Sequence, residues 1–298
     1  MMNNGEILYM YDAKLCNPNG DPDEENRPRF DAEREINLVS DLRIKRYVRD
    51  YLHEEEGKDI YVRKIEDKPV TAGERVKDFV KNGELDVENI KKELIDIRLF
   101  GATIPLKSDN KSITGPVQFN WGYSLNKVEL MESSITSNFS STSGNAQGSI
   151  GKDYRVKYSF IAFSGVVSGR NAKKTGLTDE DLKLLDKAMK NAIPLNVTRT
   201  KINQYPRLYI RLEYKDTSTV LGDMRKHVKL IKDTEEESIR DISELKLDIT
   251  QLIKLFDRNK LKIEKIYYFA CDELKLVYND QPVELAEVLK DFNVSLVE

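Results

Sequence analysis

The segment Tyr205-Pro-Arg-Leu-Tyr-Ile-Arg-Leu-Glu-Tyr214 is the clearest alternating strand in the chain. A two-residue period fits only an extended strand with its apolar side on a core. Between 154 and 162, Tyr154, Val156, Tyr158, Phe160 and Ala162 alternate with Arg155, Lys157, Ser159 and Ile161 in the same way. The dense apolar and aromatic run from Glu6 to Leu15 reads as a third strand. Helices belong between them. From about Ser40 to His53, Ile44, Tyr47, Val48 and Tyr51 gather on one side of a helical wheel. Thr178-Asp-Glu-Asp181 is a helix start of capping type, and Leu182, Leu185, Ala188 and Met189 supply an apolar face. The C-terminal third alternates helix-like segments (250–258 and 283–291) with strand-like ones (263–270 and 274–278). No internal repeat is present. The order points to an α+β sheet core with long insertions.

The 298 residues suit about two domains, or one with large insertions. No run approaches the roughly 18 apolar residues of a membrane span, and the polar start Met1–Glu6 does not read as a signal peptide. The expected location is the cytoplasm. Two cysteines, Cys16 and Cys271, build no disulfide framework, and two histidines, His53 and His227, leave little for a zinc site. Neither a metal nor a cofactor is expected.

Most catalytic templates fail. A phosphate-binding loop would need Gly at 146, which is Ala, and Lys152 is followed by Asp153. The acidic run Asp21, Asp23 and Glu25 lacks the turn glycine and the bidentate Glu of a calcium loop, whose places hold Asn26 and Ala32.

Net charge is −3, yet the basic residues are segregated. Residues 43–49 hold Arg43, Lys45, Arg46 and Arg49 and no acid, while 199–211 hold Arg199, Lys201, Arg207 and Arg211 and no acid. The region 216–298 is acidic, with 18 acids against 13 basic residues. On the helix, Lys45, Arg46 and Arg49 centre opposite the apolar side, a ridge suited to phosphate oxygens. An ordinary solvated face is the alternative, but such faces usually intersperse Glu. Two further segments stand out. Asn17–Arg29, with three prolines and an Asn-Gly pair, reads as loop. The stretch 133–149 has no charge and seven serines, and reads as a flexible loop or a poorly self-packed hairpin. A plain linker is the other reading of it.

Asn17-Pro-Asn-Gly-Asp-Pro, then Arg27-Pro-Arg29 and Val39-Ser-Asp-Leu-Arg-Ile-Lys-Arg46, resemble the CRISPR-associated backbone subunit of type I Cascade complexes, of I-B or I-C type. The likeness continues through Asp96–Gly101, Gly115-Pro-Val-Gln-Phe119, Thr175–Thr178 and Pro206-Arg-Leu, in order over roughly 5–215. It implies one modified RNA-recognition-motif (ferredoxin-like) palm spanning 1–298, with helical fingers at about 66–98 and a thumb hairpin at about 125–157. It further implies a non-enzyme that polymerises as a helical filament along the guide crRNA and presents bases to target DNA. Small capping, large and repeat-processing Cascade subunits would be its partners.

The RNA contacts so implied are Asn17, Asn19, Arg27, Arg29, Ser40, Arg43, Lys45, Arg46, Arg49, Gln118, Arg155, Arg199 and Lys201, with Met131, Ile135 and Phe139 on the thumb. A subunit serving every guide must read backbone and leave sequence to base pairing. The aromatic pattern of ordinary RNA-recognition motifs is missing, so stacking of bases on the sheet face is not expected. Two rivals stay open. A type III-like subunit would cleave target RNA with an acid such as Asp21, Asp23 or Asp31, and a stand-alone RNA binder would never polymerise.

Overall fold

The computed structural model describes residues 2–65, 68–81, 84–105, 110–136 and 150–298. The expected first strand is β1, Gly5–Cys16. It is followed by β2 (Ile36–Val39) and by helix α1 (Asp41–Glu54), which Ser40 precedes in extended conformation. Then come β3 (Val117–Phe119), β4 (Gly122–Ser124), β5 (Leu130–Thr136) and the 18-residue β6 (Ile150–Val167). Helix α2 (Asp179–Leu195) starts at Thr178, whose side chain and that of Asp181 cap each other's backbone N–H groups. The remainder holds β7 (Gln204–Tyr214), α3 (Thr250–Arg258), β8 (Ile263–Ala270) and β9 (Val294–Leu296).

These strands form one sheet in the order β9–β8–β7–β1–β6–β4–β2, and β3 and β5 also pair with β6. Strand β1 is central. It runs antiparallel to β6 on one side and β7 on the other. Taking β1, β4, β6 and β7 alone, their sheet order is fourth, first, third, second. A helix follows the first and another the third, the split β-α-β arrangement.

The two-residue period divides β1 between two cores. Ile7, Tyr9, Tyr11 and Ala13 pack with Tyr47, Val48 and Leu52 of α1 and with Leu185 and Met189 of α2. Leu8 and Met10 face the other way. They join Phe160, Leu208, Ile210 and Leu212 under a cover made by Leu245, Leu247, Leu252, Phe256 and Leu276. The acidic C-terminal region is thus the lid on the second face of the sheet. The strand at 204–214 is therefore not half-exposed, as its alternation suggests. Its centre is buried on both sides, and Arg207 and Arg211 are only 6% and 3% exposed.

Burying those guanidiniums requires partners. Arg211 donates to both carboxylate oxygens of Asp186 on α2, at 2.7 and 2.6 Å, and the Tyr209 hydroxyl donates to the same carboxylate at 2.6 Å. Arg207 stands where the β1–β7 register shifts, between the pairs Met10–Leu208 and Tyr11–Pro206. It pairs with Asp12 at 2.9 Å and with Glu273. A bulge commonly re-aims a side chain in this way.

Two expectations need correction. Asn17–Arg29 is not all irregular: Gly20–Asp21 pairs with Arg27–Pro28 around a short 3-10 turn, Pro22–Glu24. Positive φ values at Glu25 and Asn26 let the chain reverse there. The insertion placed at 66–98 also extends further and is not purely helical. Three short helices (Ala72–Arg75, Val87–Glu93, Ile95–Phe100) combine with a hairpin, Gly101–Pro105 against Asn110–Thr114. They share a small core of Tyr61, Val76, Phe79, Ile90, Leu94, Ile97 and Ile104. Gly101 makes the helix-to-hairpin corner. Its φ is 73°, and a Cβ there would lie 2.1 Å from the Ile113 carbonyl oxygen. Arg98 binds the insertion to α2 through both oxygens of Asp181, each at 2.8 Å.

Asp186→Ala strands the buried Arg211 charge and is expected to cost about 3–5 kcal/mol. Urea unfolding measures it. The double variant Asp186→Ala with Arg211→Met is expected to recover much of the loss, because it removes the unpaired charge as well.

Candidate nucleic-acid interface

The basic helix does not present the expected ridge. Lys45 is 7% exposed and donates to Asp41 at 3.1 Å and to the Gln118 amide oxygen at 2.9 Å. Arg49 donates to the buried Asp96 carboxylate at 2.9 Å and lies over the Phe100 ring. Arg46 pairs with Asp50 and donates to the Val62 carbonyl at 2.8 Å. Each of the three cations thus has its own carboxylate. The acids that satisfy them lie just outside the 43–49 window, one turn away on the helix or across the insertion. Gln118 also turns inward, its amide nitrogen donating to the carbonyls of Phe100 and Gly115. Lys45, Arg46, Arg49 and Gln118 dock α1 onto the insertion.

Other candidates converge beside the N-terminus of α1 and the end of β1. Asn17 is 1% exposed and spends itself on the scaffold, which corrects its reading as a direct contact. Its N–H donates to the Thr200 carbonyl at 2.9 Å, its amide nitrogen to the Asn26 carbonyl at 2.7 Å, and its own carbonyl accepts from Lys201. Asn19 likewise accepts the Ser40 N–H at 2.8 Å. These bonds gather three chain segments, 17–29, 40–43 and 196–201, into one surface.

On that surface Arg43 is half-buried, stacked 4.0 Å from the Tyr47 ring centroid and bonded to the Asn196 side-chain oxygen at 3.2 Å. Lys201 is held against Asn17. Burial first, and the Arg43 charge second, depress its pKa from 10.5 to about 8. Arg199 and Arg155 both bind Asp153, at 3.1 and 2.8 Å. Although burial opposes it, those two hydrogen bonds hold the Asp153 carboxyl below its ordinary value. Arg155 and Arg199 share the Asp153 carboxylate, Lys201 and Arg155 both lie near Cys16, and Arg43 lies near Lys201, so the four cations form one neighbourhood. The Arg199 side chain remains 58% exposed. Such an excess can accept phosphate oxygens, and Arg suits them bidentately.

Around this centre, Arg29 is tied to Asp21 at 2.8 Å and lies 5.7 Å from the centroid of the Trp121 ring. Arg27 lies 4.5 Å from the Tyr154 ring, whose hydroxyl donates to Glu25 at 2.8 Å. The small hairpin thereby rests against the base of the β5–β6 hairpin. That hairpin pairs Leu130–Thr136 with Ile150–Val156 in register. Ile135 lies opposite Gly151 and is 40% exposed, and Met131 lies opposite Arg155. Phe139 lies outside the described residues. Asp31, one of the acids weighed as catalytic, accepts the N–H groups of Glu33 and Arg34 at 3.1 and 3.2 Å.

The sequence alone assigned no role in the patch to Asp153, Asn196 or Trp121. The lone indole in Asn-Trp-Gly was the available signal.

Fold and surface together define a largely antiparallel sheet with both faces filled and an incompletely matched cationic patch at one end of the strands. Residues 3–250 match the family described as CRISPR-associated protein Cas7. A CRISPR-associated protein Cas7 of Haloferax volcanii is 33% identical over 319 residues, covering 96% of this chain and 92% of that protein. The chain belongs to the Cas7 family. Two solved structures share the fold. A chain of a CRISPR RNA-guided surveillance complex has a TM-score of 0.54 at 14% identity, covering 97% of this chain and 100% of that one. A chain of a CRISPR RNA-guided surveillance complex, pre-nicking, has 0.53 at 12%, covering 97% and 99%.

The inward and outward cations separate on stability. Arg49→Ala removes a charged hydrogen bond from the buried Asp96 and is expected to cost about 1.5–3 kcal/mol. Arg199→Ala, at an exposed site, is expected to stay within about 0.5 kcal/mol. Thermal or urea unfolding of the two variants gives the comparison.

Proposed function

We propose that this chain is the backbone subunit of a type I Cascade-like complex, binding the guide RNA through its phosphates regardless of sequence. The observation that carries this reading is the run of neighbouring cations Arg43, Lys201, Arg155 and Arg199, of which the last two share Asp153, in a chain of the Cas7 family. The four-strand order supports a modified RNA-recognition-motif palm, with the insertion around 66–114 as fingers and the β5–β6 hairpin as thumb. An ordinary motif of that kind stacks bases on its open sheet face. Here that face lies under the C-terminal region, so the RNA runs instead along the strand ends and past the N-terminus of α1. Bases held by their backbone remain free to pair with target DNA.

The subunit binds without cutting. What supports this is that Asp21 is engaged by Arg29 and Asp31 by backbone N–H groups. Copies of the chain add head to tail along the RNA, an arrangement that need not close. The small capping, large and repeat-processing subunits complete the complex.

The direct test is salt dependence. Replacing Arg43, Arg199 and Lys201 together with Ala is expected to weaken binding to unrelated single-stranded RNAs alike. It should also lower the log–log salt slope by about two, at roughly 0.7 per phosphate contact. An unchanged slope in the folded variant removes the patch from the interface.

Lys201 adds a pH signature. With its pKa near 8 in the free protein, a nearby phosphate stabilises its charged form and raises that pKa. Binding then takes up a proton around and above pH 8, and affinity falls as pH rises through that range. Lys201→Arg is expected to flatten this fall in a binding series at fixed salt.

RNA length should set assembly size. Native mass spectrometry over a series of guide lengths is expected to show stepwise growth, with the RNA mass intact in the presence of magnesium. A single protein copy on every length would favour the stand-alone binder, and shortened RNA would favour the cleaving one.

A further inference from the structure

Trp121 is the only tryptophan and is 42% exposed. A single exposed apolar residue needs no explanation by itself. This one, however, sits on an unusually well-secured piece of backbone. Its N–H is held by the Asn120 side-chain oxygen at 2.8 Å, and its carbonyl accepts from Arg225 at 2.8 Å. Arg225 is 5% exposed, fixed by two-pronged contact with Asp223 and stacked 4.4 Å from the Tyr123 ring centroid. Burying a guanidinium is costly unless its hydrogen bonds are used, and here one is spent on the Trp121 carbonyl. The next residue, Gly122, lies flat on Phe163, where a Cβ would come within 2.4 Å of the ring. The chain at Trp121 is therefore fixed from both sides.

Its location is equally specific. Gly122 pairs with Val39 and Tyr123 with Leu38, so the register sets Trp121 beside Ser40, whose N–H is bonded to Asn19. Arg29 stands 5.7 Å from the indole centroid and is held there by Asp21. A partly exposed aromatic ring on a fixed backbone, with a cation beside it, is what single-stranded nucleic acids use for base stacking.

We infer that Trp121 is a stacking platform for one unpaired base of the bound RNA, with Arg29 beside it. This rests on the RNA-binding reading above. The platform tolerates any base, because every base has a π-face, which suits a subunit that must accept every guide.

The single tryptophan makes the test direct. The full chain is titrated with single-stranded RNA carrying a distant dye, and dye anisotropy is followed together with tryptophan emission excited where tyrosine does not absorb. Emission is expected to fall along the same saturation curve as anisotropy rises. Trp121→Ala is expected to bind roughly tenfold more weakly, and Trp121→Phe to keep most of the affinity. Circular dichroism establishes that both variants fold, and the emission change in the unaltered protein needs no variant at all. Rising anisotropy with unchanged emission overturns the platform and leaves the RNA reading intact. Flat anisotropy overturns the RNA reading, and the platform with it. Quenching that appears only after complementary DNA is added assigns the base to the other strand and overturns its assignment to the bound RNA.

Discussion

Burial of both faces of the sheet is the constraint on which the rest of this molecule depends. Strand β1 sends Ile7, Tyr9 and Tyr11 to the helices and Leu8 and Met10 to the C-terminal region, so neither side is open at the centre. A sheet filled in this way cannot offer a broad aromatic face to a ligand. What such a fold leaves open is the place where chains leave and enter strands, and there the backbone can carry exposed side chains at low cost. The small hairpin at 20–28, the turn at 196–203 and the start of α1 all meet at that end.

Charge follows the same logic. Cations that lie against the interior are matched one for one: Lys45 with Asp41, Arg49 with Asp96, Arg98 with Asp181, and Arg211 with Asp186. An unmatched charge among them would be costly, because the surroundings solvate it poorly. At the strand ends the pairing changes: Asp153 is shared between two arginines, and among the described residues Arg43 and Lys201 donate to the neutral oxygens of Asn196 and Asn17. The lowered pKa of Lys201 reflects its burial first and the neighbouring Arg43 charge second. Matched pairs build the fold, and the unmatched remainder is available to a ligand.

This division explains what could be read from sequence. Helix α1, its start after Ser40 and its buried side (Ile44, Tyr47, Val48, Tyr51) follow from period alone, because those positions answer to local geometry. The capped start of α2, the strands at 5–16 and 204–214 and the helix at 250–258 were legible for the same reason. The roles of individual cations were not. Lys45 and Arg43 are two residues apart and chemically alike. What separates them is Asp41 and Gln118 on one side and Asn196 on the other, and the last two are contacts across long stretches of chain. Burial of Arg207 and Arg211 was hidden likewise, since alternation says which residues share a face but not what covers it. The helical pattern at 66–98 concealed a mixed unit, whose core draws on Tyr61 and Ile104 from outside the window.

The net charge of −3 also acquires a spatial meaning. Much of the acidity after residue 216 faces outward on the lid: Glu235, Glu237, Asp272, Asp280, Glu284, Glu287 and Asp291 are all exposed. Fields of exposed charges fade within about 8–10 Å at physiological salt. The lid's exposed acids therefore act chiefly on a polyanion that nears the lid itself, although Asp241 of the same region reaches Lys14 near the end of β1. On the proposed reading, an RNA strand that meets this protein finds one attractive track and a repulsive back. Orientation is then set during approach rather than by later rearrangement, and each added copy faces the strand the same way.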